Sequence, residues 1–256
     1  MELPKFDRRK TYLDITQFID NEVGTKQAVI GLSGGIDSTV TAILTADVID
    51  KDKIFGIIMP HTSITDFRDA KQITDYLGIN RIVIPIAEIY QQMLDSLPEV
   101  DNAVAQANLQ ARIRMSILYA YANQLEGIVV GTTNKSEAMI GYYTKHGDGG
   151  VDIEPLIGLY KTQERELARD IGTPQNIIER EPTAGLWSGQ TDENELGITY
   201  NELDRILYTY ERINDPRTIA EIIDSDVDQV RRVIRMVNDS EHKRTMAKGG
   251  PNVRYS

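Results

Sequence analysis

The chain has 256 residues, with 39 Asp+Glu against 28 Lys+Arg and a formal net charge of −11. That acidity excludes broad, sequence-blind binding to nucleic-acid backbones, and no apolar run is long enough to span a membrane. There is no cysteine, and the three histidines (His61, His146 and His242) are scattered, which excludes disulfides, thiolate metal sites, thiol nucleophiles and a zinc-hydrolase histidine pair. The start, MELPKFDRRK, lacks an apolar signal core, so a cytoplasmic location is expected. No repeat, low-complexity tract or linker divides the sequence, so residues 1–256 read as a single domain.

In chain order, a polar helix is expected around Tyr12 to Glu22, then a short apolar strand over Gln27 to Leu32. A helix follows from Ser38 to about Ile49, with Val40, Ile43, Leu44 and Val48 at helical spacing. A second strand covers Ile54 to Met59 and stops at Pro60; a helix covers about Phe67 to Leu77, and a third strand Arg81 to Ile86. Asp101 to Gln124 reads as one long helix, with Leu109, Ile113, Ile117, Tyr121 and Leu125 recurring at i+4. Glu126 to Gly131 is a fourth strand, and helices follow at about Gln163–Asp170, Asn201–Ile213 and Val227–Asp239. The acidic stretch Asp192 to Glu195 reads as a lid loop. Alternating strands and helices imply an α/β fold: an open parallel sheet covered by helices, Rossmann-like, with ligands at the carboxyl ends of the strands.

The richest of those ends is Gly31-Leu32-Ser33-Gly34-Gly35-Ile36-Asp37-Ser38. Glycines let backbone amides approach an anion, and the helix that follows adds its partial positive charge. A Gly-Gly turn alone would be mere clearance; Ser33, Asp37 and Ser38 make it a phosphate loop. It is neither a Walker A loop, for no Gly-Lys-Ser/Thr follows, nor a GxGxxG fingerprint. A loop without its own lysine needs a cation from elsewhere, and Lys161, at the start of an amphipathic helix, is a sensible supplier. Arg112 and Arg114, two apart on a helix, point about 200° from each other. One can face an anionic site while the other is a solvated charge, and spacing does not choose between them.

The run SGGIDS resembles the PP-loop of the ATP pyrophosphatase superfamily, of the adenine nucleotide alpha hydrolase type, whose members cleave ATP between its α and β phosphates. Further runs narrow the likeness. They are Gly131-Thr132-Thr133-Asn134-Lys135-Ser136-Glu137, Tyr143 to Asp152 (YTKHGDGGVD), Pro155 to Lys161, Glu181-Pro182-Thr183-Ala184, Asp192 to Gly197, and Glu241-His242-Lys243-Arg244. In this order, over nearly the whole chain, they resemble an ammonia-dependent NAD synthetase, with TKxGDGG and EHKR the most specific.

The resemblance implies roles by matching position. Gly31 to Ser38, Thr132, Lys161 and Thr183 would contact ATP; Asp37 and Lys161 would be catalytic; Asp37 and Glu137 would hold Mg²⁺. Arg112, Lys145, Asp152, His242 and Lys243 would hold deamido-NAD. Where the family often reads GTDHAAE this chain reads GTTNKSE, so roles do not carry over at 133 to 136; Gly185 likewise replaces an acid. The implied reaction is attack of the deamido-NAD carboxylate on ATP to give an acyl-adenylate, which ammonia opens to NAD and AMP. With no cysteine for a glutaminase thioester, free ammonia is the expected nitrogen source, a separate glutaminase partner staying open. The family is typically a homodimer, for which Asp101–Gln124 is the candidate contact. The competing readings are another adenylating enzyme on the same scaffold, acting on tRNA or a different acid, and a nucleotide sensor without turnover.

Overall fold

The computed structural model describes residues 2–61, 67–180, 191–247 and 249–250. The chain opens with α1 (Arg8–Val23), β1 (Ala28–Gly31), α2 (Ile36–Ala46), β2 (Ile54–Ile58), α3 (Arg68–Leu77) and β3 (Asn80–Val83). It continues through α4 (Ala87–Asp95), α5 (Ala103–Gln124), β4 (Ile128–Val130), α6 (Lys135–Ile140), α7 (Lys161–Asp170) and α8 (Gln175–Ile178). After α8 come α9 (Asp192–Leu196), α10 (Tyr200–Tyr210), α11 (Pro216–Ile223), α12 (Val227–Asp239) and α13 (Glu241–Arg244). The expected strands and long helices are present. The third strand is shorter than expected, ending at Val83 ahead of Pro85, which has no N–H to continue a ladder. The helix α4 was not anticipated.

The four strands are parallel, in the order β3-β2-β1-β4. Period-two alternation sorts their side chains between two layers. Ala28, Ile30, Ile54, Ile58, Ile128 and Val130 face a core shared with α1, α2, α3 and α7. Val29, Ile57 and Val129 face the opposite core, closed by α4 and α5. Gly56 keeps the first core close-packed, since a Cβ there would lie 2.5 Å from Leu32 Cδ1. A third cluster unites α10, α11 and α12 around Tyr200, Leu203, Ile206, Ile219 and Val230, and it reaches α6 through Ile140.

This order places a functional crevice. From β1 the chain steps outward to β2 and β3, then returns through α5 to lay β4 on the other side of β1. The turns after β1 and β4 therefore leave in opposite directions, opening a crevice at the carboxyl edge between them. Asp37 follows one of those turns and Glu137 the other. No helix among the described residues is long and apolar enough to cross a membrane.

Candidate active site

The turn from β1 into α2 is shaped by its own serines. Ser38 Oγ donates to the Gly35 carbonyl at 3.1 Å and accepts from the Ser33 amide at 3.3 Å, while the Gly35 amide donates to Ser33 Oγ at 3.1 Å. Gly34 has φ +83°, and a Cβ there would meet the Ala70 nitrogen at 3.0 Å, so the position demands glycine. Leu32 and Ile36 are buried and offer the turn only their backbone. Gly35 caps α2 without a side-chain bond, which leaves the first amides of the helix open to an anion.

Beside this turn lies a knot of charge. Lys161, the first residue of α7, is fully buried and ion-paired with Asp37. Its Nζ is 3.5 Å from Glu137 Oε1 and 3.6 Å from Glu164 Oε2. Asn134 caps α6, accepting from the Glu137 amide while Glu137 Oε2 accepts from its own. The same Asn134 donates through Nδ2 to Asp37 at 2.9 Å and to Glu164 at 3.4 Å. The residue standing where the family motif departs is thus the bridge between the two turns.

Burial disfavours every charge here, and the partners decide which survive. Burial pushes Asp37 up, but the Lys161 ammonium and the hydrogen bonds from Glu164, Lys161 and Asn134 together bring it below the ordinary carboxyl range. Glu137 is pushed up to about 8, first by burial and then by the Asp37 charge, and Glu164 is driven well above its usual range by the same two causes. Burial would lower Lys161, but Asp37, Glu164 and Glu137 together raise it. The Lys161 ammonium balances Asp37 alone while Glu137 and Glu164 are held towards their neutral forms, and among the described residues Glu164 Oε1 is buried without a hydrogen-bond partner. Carboxyl oxygens that a cation can bring to their ionised forms fit a small hard cation. Among the described residues no three His, Asp or Glu side chains converge as a metal site. Asp37 and Glu137 can supply two carboxylates, a number suited to an ion that also binds phosphate and water.

The helical cluster braces this knot from behind. Asp204 on α10 accepts from the Thr162 amide at 2.9 Å, from Thr162 Oγ1 at 2.8 Å and from Ser136 Oγ, while the Lys161 amide donates to Ser136 Oγ at 2.9 Å. Asp192, expected in a lid loop, instead opens the helical turn α9 and is buried, accepting from Tyr142 at 3.2 Å and Tyr200 at 3.1 Å. Two tyrosine hydroxyls and a Thr191 cap give the acidic stretch a fixed place that its composition did not suggest.

Three remote segments meet on a second patch. Arg112, exposed on α5, donates to the Lys145 carbonyl at 3.3 Å, and Lys145 Nζ donates to the His242 carbonyl. Lys243 Nζ donates to the carbonyls of Gly141 at 2.6 Å and Tyr143 at 2.7 Å, so the EHKR run is a helical turn pinned to the loop after α6. Asp152 accepts from Tyr119 Oη at 3.1 Å and from the Val129 amide at 2.7 Å. Thr132 stands just past β4. Thr183 and Gly185 lie outside the described residues.

Sequence reasoning missed Asn134, Glu164 and Asp204. The pattern Asn-x-x-Glu at 134–137 is a helix-start signature and was open to notice; Glu164 reads as one more surface glutamate of KTQERELARD.

The family model for NAD synthase matches residues 11–247. The chain belongs to the NAD synthase family. An NH(3)-dependent NAD(+) synthetase of Methanosarcina acetivorans is 44% identical over 246 residues, covering 93% of this chain and 96% of that protein. In structure, the NAD synthase chain superposes on an NMN synthetase from Francisella tularensis with a TM-score of 0.83 and 35% identity, covering 97% of this chain and all of that one. An NH3-dependent NAD synthetase from Campylobacter jejuni gives a TM-score of 0.80 at 25% identity, over 96% of this chain and 100% of the other.

Proposed function

We propose that the chain carries out ATP-dependent amidation of deamido-NAD to NAD with ammonia, through an acyl-adenylate. It is a ligase that forms a carbon–nitrogen bond. The observation that carries the reading is the family match over most of the chain joined to a phosphate-ready turn beside the Lys161 knot. A carboxylate does not exchange its oxygen for ammonia at neutral pH, because the leaving group is poor. Adenylation replaces that group with AMP, which is why ATP is consumed.

In this reading Gly31, Leu32, Ser33, Gly34, Gly35, Ile36, Asp37 and Ser38 surround the phosphates of ATP, with Thr132, Lys161 and Thr183 as further contacts. The amides of the turn and of α2 hold the departing pyrophosphate, and Lys161 adds positive charge. Asp37 and Glu137 would hold Mg²⁺, which neutralises charge on the phosphates when bound. Deamido-NAD lies against Arg112, Lys145, Asp152, His242 and Lys243, a reading supported by the bonds linking Arg112, Lys145 and His242. Their share is alignment of the acid with ATP. No side-chain nucleophile takes part. The chain acts as one catalytic unit in the cytoplasm, where ATP is at hand. A homodimer through α4 and α5 is supported by the exposed Ile89, Met93, Leu97 and Val104 on those helices and the turn between them.

A second acid is favoured by one observation, the likeness to an NMN synthetase. The test covers both. The purified chain, given Mg²⁺, ATP, ammonium and either deamido-NAD or nicotinate mononucleotide, should form the corresponding amide (NAD or nicotinamide mononucleotide), AMP and pyrophosphate in equal amounts, with a higher kcat/KM for deamido-NAD. ADP and inorganic phosphate as products would overturn the adenylation reading, and a preference for the mononucleotide would overturn the choice of acid. With glutamine as the nitrogen source and ammonia removed enzymatically, no amide should form.

A further inference from the structure

The buried stripe of α5 runs through Ala107, Gln110, Leu118 and Ala122, and Arg114 occupies its middle, four residues from Gln110 and four from Leu118. Leu118 marks where this stripe meets the sheet edge: a Cβ on Gly31, the last residue of β1, would lie 3.4 Å from Leu118 Cδ1. Since α5 leads back into β4, its earlier turns extend past the carboxyl ends of the strands. Arg114 lies one turn past Leu118 in that direction. Its Nε donates at 3.1 Å to the carbonyl of Met59, the residue after β2, which anchors the guanidinium at the carboxyl edge of the sheet, beside the end of β2.

The remaining hydrogen-bonding capacity of Arg114 is unspent. Among the described residues, its two terminal nitrogens have no protein acceptor, and no ion pair joins it to Asp148, whose charge nonetheless acts on it. Burial pulls its pKa down, yet a guanidinium stays charged at any working pH. A half-buried guanidinium held by one carbonyl leaves its two terminal nitrogens available to an anion. Other cations of this region have several protein partners or an ion pair: Lys161 with its carboxylates, Arg180 with Asp69, and Lys243 with two backbone carbonyls. Arg112, pointing the other way around the helix, is exposed and holds the Lys145 carbonyl.

We propose that Arg114 is a catalytic residue of adenylation, its two free nitrogens bridging the reacting carboxylate and the α-phosphate of ATP. The proposal rests on the amidation reading above. In the step concerned, a carboxylate oxygen forms a bond to the α-phosphorus. The bond from that phosphorus to the α–β bridging oxygen breaks, and its electron pair leaves with pyrophosphate; no proton moves. Two anions must touch for this to happen, and a planar fork that donates to both lowers their repulsion at the moment of contact.

The test is single-turnover formation of pyrophosphate by the full chain with Mg²⁺, ATP and deamido-NAD, alongside calorimetric binding of each substrate. Arg114→Gln should slow pyrophosphate formation at least about a hundredfold while each dissociation constant stays within about threefold. Arg114→Lys retains charge but not the fork, and should recover part of the rate, remaining about tenfold slow. Wild-type rates in a folded Arg114→Gln, or losses confined to binding, would overturn the proposal. Should the glutamine variant fail to fold, the lysine variant decides, and an undiminished rate there overturns it. A wild-type chain that forms no AMP from deamido-NAD would instead overturn the reaction reading itself.

Discussion

Two lysines fasten distant parts of this chain, and they do so with opposite chemistry. Lys161 is enclosed by the carboxylates of Asp37, Glu137 and Glu164, and its pKa rises. Lys243 is held by the carbonyls of Gly141 and Tyr143, with the Tyr143 ring centroid 5.4 Å away, and burial lowers its pKa against only the pull of Asp148. A lysine among carboxylates sets the charge of a site, and that charge responds to protons and metal. A lysine among carbonyls fixes backbone shape and balances almost no charge. The crevice and the C-terminal turn should therefore fail differently when their lysines are removed.

The largest effect is expected from Lys161→Met. Turnover should fall at least about a hundredfold, since the site loses the cation beside the phosphate turn. Breaking a buried pair leaves uncompensated carboxylates and should cost about 3–5 kcal/mol of stability at pH 8. At pH 5 the stranded carboxyls take up protons more readily, and the cost should shrink. Urea unfolding at the two pH values checks this. Equal losses would mean that packing of the lysine stem, rather than charge, holds the knot.

Glu137→Gln sharpens the same point from the other side. The folded protein holds Glu137 near a pKa of about 8, above its ordinary value of 4.5. A carboxyl raised in this way stabilises the fold fully below its unfolded pKa, and that contribution disappears as pH rises through the folded one. Without metal, wild type should lose thermal stability between about pH 4.5 and 8 relative to Glu137→Gln, the two converging at lower pH. Added Mg²⁺ should favour wild type, which can use the ionised carboxylate. Parallel melting curves across that range would show that Glu137 is not held protonated.

These contrasts also mark how far the sequence was legible. The strands were, because Ala28-Val29-Ile30 and Ile128-Val129-Val130 are continuous apolar runs buried on both faces of a parallel sheet. The Gly31–Ser38 turn was, because glycines and serines between a strand and a helix have few other uses. Asp37 and Lys161 were picked out by the phosphate loop and its need for a cation, Glu137 through resemblance, and the structure adds that they meet. Glu164 and Asp204 stayed hidden because a buried acid has the same letter as a solvated one; only the contact with Lys161, or with Thr162 and Ser136, separates them. Asp192 was misread for the same reason, its tyrosine donors lying eight and fifty residues away. Arg112 and Arg114 could be set on opposite faces by helix geometry, but which of them turned inward depended on how α5 packs on the sheet.

The smallest effect is expected at the other lysine. Lys243→Met removes two donors from carbonyls that are partly buried, and the loop after α6 should loosen at a cost of about 1–3 kcal/mol. Charge in the crevice is untouched, so the penalty should be the same at pH 6 and pH 8, unlike that of Lys161→Met. If the 141–145 loop presents Lys145 to deamido-NAD, KM for that substrate should rise while kcat stays within about twofold. Lys243→Arg keeps donors for both carbonyls and should restore most of the affinity. A fall in kcat as steep as that of the Lys161 variant, with KM unchanged, would place Lys243 in the chemistry and erase the distinction between the two lysines.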